Sequence, residues 1–150
     1  MGLLIKDRGG PVQNRIVAAT AAVLAVAGVG ACTSRPSQIA STASVAVNGN
    51  DANFHVVKCS QLGWTRTIDI GGNFAGAKVI IDEGAQPATA QSVRIQNLGG
   101  FTGMYSRGGS SSADMSMTGD KFTITGTANG FKTDKPNEAV SAEFKIIATC

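Results

Sequence analysis

Residues 121–128 read KFTITGTA. Phe122 and Ile124 alternate with Lys121, Thr123 and Thr125, a period of two that sends apolar side chains to one face and polar ones to the other. A helix would need its apolar residues three and four apart, so this stretch reads as a strand with one buried face. The same signature recurs outward from it. VAVNGND (45–51) sets Val45 and Val47 on one side and runs into Asn48-Gly49, a strong hairpin signal. FHVVKC (54–59), TRTIDI (65–70), AKVII (77–81), SVRIQNL (92–98), FTGMYS (101–106), ADMSM (113–117) and AEFKIIATC (142–150) are further short strands. They are punctuated by Gly71-Gly72, Gly84, Gln86-Pro87, Gly99-Gly100, Gly108-Gly109, Gly119-Asp120, Asn129-Gly130 and Lys135-Pro136. A helical turn is expected near 134–140. Evenly spaced strands over residues 45–150 predict an all-β domain, a small antiparallel β-sandwich or partly closed barrel.

Composition agrees with one such domain. The chain has 150 residues, with 19 glycines against six Phe, one Trp and one Tyr, which suits short strands and tight turns better than a helix bundle. The formal charge of +3 gives little footprint for nucleic acid. Lys6, Arg8 and Arg15 against Asp7 place +2 before residue 16, which leaves +1 for residues 32–150, where the basic residues are scattered singly.

The first 31 residues are of another kind. Residues 16–31, IVAATAAVLAVAGVGA, follow the basic start and carry no charged side chain. This is the n-region and h-region of a secretory signal, too short for a comfortable membrane span of roughly 20 residues. Val29, Gly30 and Ala31 then lead directly into Cys32, the pattern of a bacterial lipobox: an aliphatic residue, two small residues and a cysteine. Lipid transfer needs a thiol nucleophile, and a signal peptidase cutting between Ala31 and Cys32 needs small side chains beside the bond. Residues 1–31 are therefore expected to be removed. Cys32 would become the mature amino terminus, with an S-diacylglycerol thioether and an N-palmitoyl chain. Each buried methylene contributes about 0.8 kcal/mol, so two or more chains anchor stably where one is marginal. Residues 32–44, rich in Ser and Thr, read as the lipidated terminus and a flexible tether spanning about 20 Å as a coil.

Three cysteines are an odd number, and Cys32 accounts for the odd one. Cys59 and Cys150 remain in strand-like sequence and are expected to pair, as suits an exported chain. On the chain-entropy model a loop of about 90 residues stabilises the fold by roughly 4–5 kcal/mol.

No catalytic or metal constellation stands out. A serine triad would have to use His55, the single histidine, with Asp51, Asp69 or Asp114 and a serine of GGSSS (108–112), yet no G-x-S-x-G is present. An outward-facing strand histidine is the simpler reading. One histidine and two bridged cysteines leave only carboxylates for a metal, without calcium-loop spacing, and Asp82-Glu83 before Gly84 reads as a turn.

The lipobox, the tether, VAVNGND, IDIGG (68–72), SVRIQNLGGFTGMYSRG (92–108), FTITGTANGF (122–131) and the closing EFKIIATC together resemble the LpqH-type lipoprotein antigens of mycobacteria. The resemblance implies a lipid-anchored cell-envelope protein on the extracytoplasmic face of the membrane. Cys32 would be its acylated residue and Cys59–Cys150 its disulfide. It further implies recognition by the host's lipoprotein-sensing Toll-like receptor, a role in adhesion, a monomeric body, no cofactor beyond the covalent lipid, and no enzymatic activity. The tether here is shorter and poorer in Thr than in such proteins, and Trp64 stands where they carry a small residue. The alternative is an anchored carrier whose sandwich encloses a lipid or glycan.

Overall fold

A computed structural model describes residues 41–150. The expected hairpin appears first. β1 (Ala43–Val47) and β2 (Asn50–Phe54) are joined by Asn48 and Gly49, with φ of 48° and 81°, the left-handed pair that matches the twist of the flanking strands. β1 takes in the last two residues counted with the tether. β3 (Val57–Leu62), β4 (Thr65–Gly71), β5 (Gly76–Asp82), β6 (Thr89–Leu98) and β7 (Phe101–Ser106) form an antiparallel meander. β8 (Ala113–Thr118), β9 (Lys121–Lys132) and β10 (Lys135–Thr149) complete the body.

The strands lie in one nearly closed sheet, in the order β2-β1-β10-β9-β7-β6-β5-β4-β3, with β8 attached to β9. Closure depends on β9. One of its edges pairs with β10 along its whole length, from Lys121 opposite Thr149 to Lys132 opposite Lys135. Its other edge is divided: Lys121–Gly126 pair with β8, and Asn129–Lys132 pair with β7. The sheet therefore changes layer at residues 127–128, where the Thr127 amide donates to the Ser112 carbonyl at 2.9 Å.

Two glycines permit this change. A Cβ on Gly126 would run into the carbonyl oxygen of Ser112, and one on Gly130 into the carbonyl oxygen of Thr102. Asn129-Gly130 is thus not the strand break expected from sequence. It lies inside β9, where the missing side chain allows a neighbouring backbone to approach. The helical turn expected near 134–140 is also absent. Those residues begin β10, because a tight connection at Thr133 and Asp134 returns the chain directly onto β9 with an irregularity between Lys135 and Ala139. FHVVKC is likewise divided, with a bend at His55 and Val56 carrying the chain from β2 to β3.

The core follows the pleat. Rows of inward residues cross the first layer, Ala43-Ala148-Phe122 and Val45-Ile146-Ile124, and the second layer, Cys59-Ile68-Val79-Val93-Tyr105. Among the described residues, twenty-one apolar side chains are buried, with no polar residue among them. A cavity large enough for a ligand would appear as accessible surface on its lining, yet the innermost of these side chains, such as Val45, Ile68, Val79 and Ile146, are at 0%. The interior is filled, which does not suit an enclosed-pocket carrier.

Cys59 of β3 bonds Cys150, which directly follows β10, with Cα atoms 5.9 Å apart and a sequence separation of 91. The expected disulfide is present, and it ties the outermost strand of the second layer to the first.

Two outcomes are expected in urea unfolding. Replacing both Cys59 and Cys150 by serine lowers stability by about 2–5 kcal/mol. Gly130→Ala, which forces a methyl group against the β7 backbone, costs about 1–3 kcal/mol or more.

Candidate functional site

Around the disulfide, the open end of the sandwich is closed by polar residues. The alternation of TRTIDI puts Arg66 in phase with Ile68 and Ile70, hence on the inner face of β4. Its guanidinium does not enter the core. Nε donates to Glu83 Oε1 in a close ion pair, Nη2 donates to Gln61 Oε1 at 2.7 Å, and Gln61 Nε2 donates to Glu83 Oε2 at 2.9 Å. The three side chains form a closed ring. The guanidinium carbon also lies 5.1 Å from the centroid of the Phe122 ring, so the cation covers an aromatic face of the core. Sequence reading took the basic residues as scattered singly, but the phase of Arg66 with two buried isoleucines was a signal that it points inward.

The chain enters the body at this same end. The Thr149 amide donates to the Thr42 carbonyl at 2.9 Å and the Cys150 amide to the Asp120 carbonyl at 2.9 Å, one residue from the disulfide. Next to them the β3–β4 hairpin tip carries Leu62 and Trp64, 87% and 72% exposed. Trp64 is therefore not core.

A second feature lies on the outer face. Lys58, Asp69, Lys78 and Arg94 are cross-strand neighbours on β3 to β6, and they line an open cleft of about 570 Å³ with Asn73 and Gln96. Lys78 Nζ lies 3.3 Å from Asp69, both side chains about half exposed, an ion pair of small energetic weight. The lining offers ammonium, guanidinium, amide and carboxylate groups with neither thiol nor imidazole, chemistry suited to weak attraction of an anion.

The residues weighed for a triad are spread over the body. His55 is exposed in the β2–β3 bend, which corrects its expected place in a strand. Asp51 is on β2 and Asp114 on β8, while Asp69 is engaged by Lys78, and Ser110 accepts a hydrogen bond from Asn129 Nδ2 at 2.9 Å. Among the described residues no group of three His, Cys, Asp or Glu side chains is placed to hold a metal ion. Asp82 and Glu83 do stand at the start of a turn, where Asp82 Oδ1 accepts the Gly84 amide at 2.9 Å. The lipobox residues Val29, Gly30, Ala31 and Cys32 lie outside the described residues.

Residues 36–150, the whole β body, match the family model described as the Mycobacterium 19 kDa lipoprotein antigen. The chain belongs to that family. A lipoprotein of Mycobacterium indicus pranii is 66% identical over 139 residues, covering 92% of this chain and 99% of that protein. LppE of Mycobacterium tuberculosis is 30% identical over 138 residues, covering 91% and 99% respectively. The lipoprotein LpqH of Mycobacterium avium is 34% identical over 108 residues, 71% of this chain and 66% of LpqH. For a member of the 19 kDa lipoprotein antigen family the expected setting is a membrane or envelope, and the relatives are named as lipoproteins rather than as enzymes.

The two kinds of ion pair should separate in stability. Arg66→Ala is expected to cost about 1–3 kcal/mol, because it leaves the Glu83 carboxylate part-buried without its partner. Lys78→Ala should stay within about 0.5 kcal/mol. Chemical denaturation of the two variants side by side checks this.

Proposed function

We propose that this protein is a non-catalytic envelope lipoprotein. Residues 1–31 are cut away between Ala31 and Cys32, Cys32 carries S-diacylglycerol and N-palmitoyl chains, and the β body is held on the extracytoplasmic face of the membrane as a monomer. The supporting observation is the Cys59–Cys150 bridge. Of the three cysteines it occupies both in the body, so Cys32 has no thiol left in its own chain to pair with. It stands directly after a charge-free run ending in Val29-Gly30-Ala31. An unpaired cysteine in that position is explained by its modification.

The activity seen by a host then resides in the acylated terminus, the ligand of a lipoprotein-sensing Toll-like receptor. Adhesion, if exerted, falls to the exposed surface of the body. A filled interior favours this assignment over an enclosed carrier pocket.

Cys32→Ala checks both parts together. The variant should lose the mass of the acyl chains, leave the membrane fraction, and fail to signal in cells reporting Toll-like receptor activation. Undiminished signalling by the unlipidated variant would remove the receptor assignment. An unchanged protein mass would remove the anchor.

A further inference from the structure

We propose that the β3–β4 hairpin tip, Leu62 with Trp64, is a second membrane contact that enters the headgroup region of the bilayer holding the acyl chains of Cys32. This rests on the anchor reading above. Three observations carry it.

The first is exposure at one place. Single exposed apolar residues, such as Phe74 beyond the other end of β4, are ordinary, but Leu62 and Trp64 flank Gly63 at one hairpin tip and are 87% and 72% exposed. Tryptophan, with a broad apolar ring and one N–H donor, is the side chain enriched where hydrocarbon meets water.

The second is bracing. The Trp64 carbonyl accepts the Glu83 amide at 2.8 Å, and the root of its side chain lies over Gly84, where a Cβ would come within 3.2 Å of Trp64 Cγ. The indole is thus presented from a fixed base. Insertion forfeits little conformational freedom.

The third is position. From Thr42, bonded to Thr149, the path runs through Cys150 and 5.9 Å across the disulfide to Cys59, and Leu62 follows three residues later, about 10 Å along the strand. Thr42 lies ten positions after Cys32, a span of at most about 35 Å. The tip is therefore within tether range of any bilayer that Cys32 occupies. Of the charges beside it, Arg66 and Glu83 neutralise one another and Asp82, opposite Thr65, adds one carboxylate, so nothing there offers a cationic attraction to lipid headgroups and the contact is apolar.

Trp64 is the single tryptophan of the chain and its own probe. The mature lipidated protein is reconstituted into phosphatidylcholine–phosphatidylglycerol vesicles and floated on a density gradient. Floated protein is expected to emit at shorter wavelength than the detergent-free body released by protease. It should lose most of that emission to lipids brominated near the headgroup, and added salt should not restore it. Leu62→Ser should still float with weaker quenching. Moving the indole to the far end of β9, as Trp64→Phe with Phe131→Trp, should float with the emission of a wet indole. A protein that floats while Trp64 stays fully open to iodide and untouched by brominated lipid overturns the second contact and leaves the anchor standing. A protein that does not float overturns the anchor, and the second contact with it.

Discussion

The double pairing of β9 is the constraint on which the rest of the structure depends. A strand of twelve residues shares one edge with β10 throughout and divides the other between β8 and β7. Because the partners belong to different parts of the chain, satisfying both sets of backbone hydrogen bonds forces the sheet to fold over itself. Gly126 and Gly130 make the two crossings sterically permissible. Once β7 and β8 are held on the same strand, the meander from β3 to β7 must lie across the first layer, and the inward rows of both layers meet as one core.

What could be read from the sequence follows from how local each cause is. Alternation of apolar residues depends on neighbours two positions apart, so TRTIDI, SVRIQNL and KFTITGTA were legible, as was the Asn48-Gly49 turn. The role of Gly130 was not, because its reason for being glycine is a carbonyl oxygen on Thr102, 28 residues away in sequence. The helical turn expected near residue 134 failed for a related reason: pairing to β9 decides the conformation of the first residues of β10, 135–141, and no local pattern encodes that. Arg66 occupies a middle case. Its inward phase was visible, but its partners Glu83 and Phe122 come from other strands. The pairing of Cys59 with Cys150 could be reached by counting, since the expected modification of Cys32 leaves the two body cysteines only each other.

The charged side chains of the body sit at its boundary with water. Some form weak surface pairs, as Lys78 and Asp69 do, and Arg66 and Glu83 close the open end of the core. Membership of a lipoprotein antigen family accords with this, because what such a body requires is stability and a defined outer surface. The Cys59–Cys150 bridge supplies the former through the unfolded chain it restrains.

The position of that bridge also sets how the protein meets force. A pull on the amino-terminal segment arrives at Thr42 and loads β1 along its length, against the ladders to β2 and β10 together. Such a load acts in shear, on many hydrogen bonds at once, rather than opening them one by one. Should those ladders yield to a pull between this segment and Cys150, only residues 43–58 can be drawn out, because Cys59 and Cys150 are joined covalently. The domain therefore has a short extensible segment at its amino-terminal entry, and between its two ends the remaining chain is bypassed by a covalent bond.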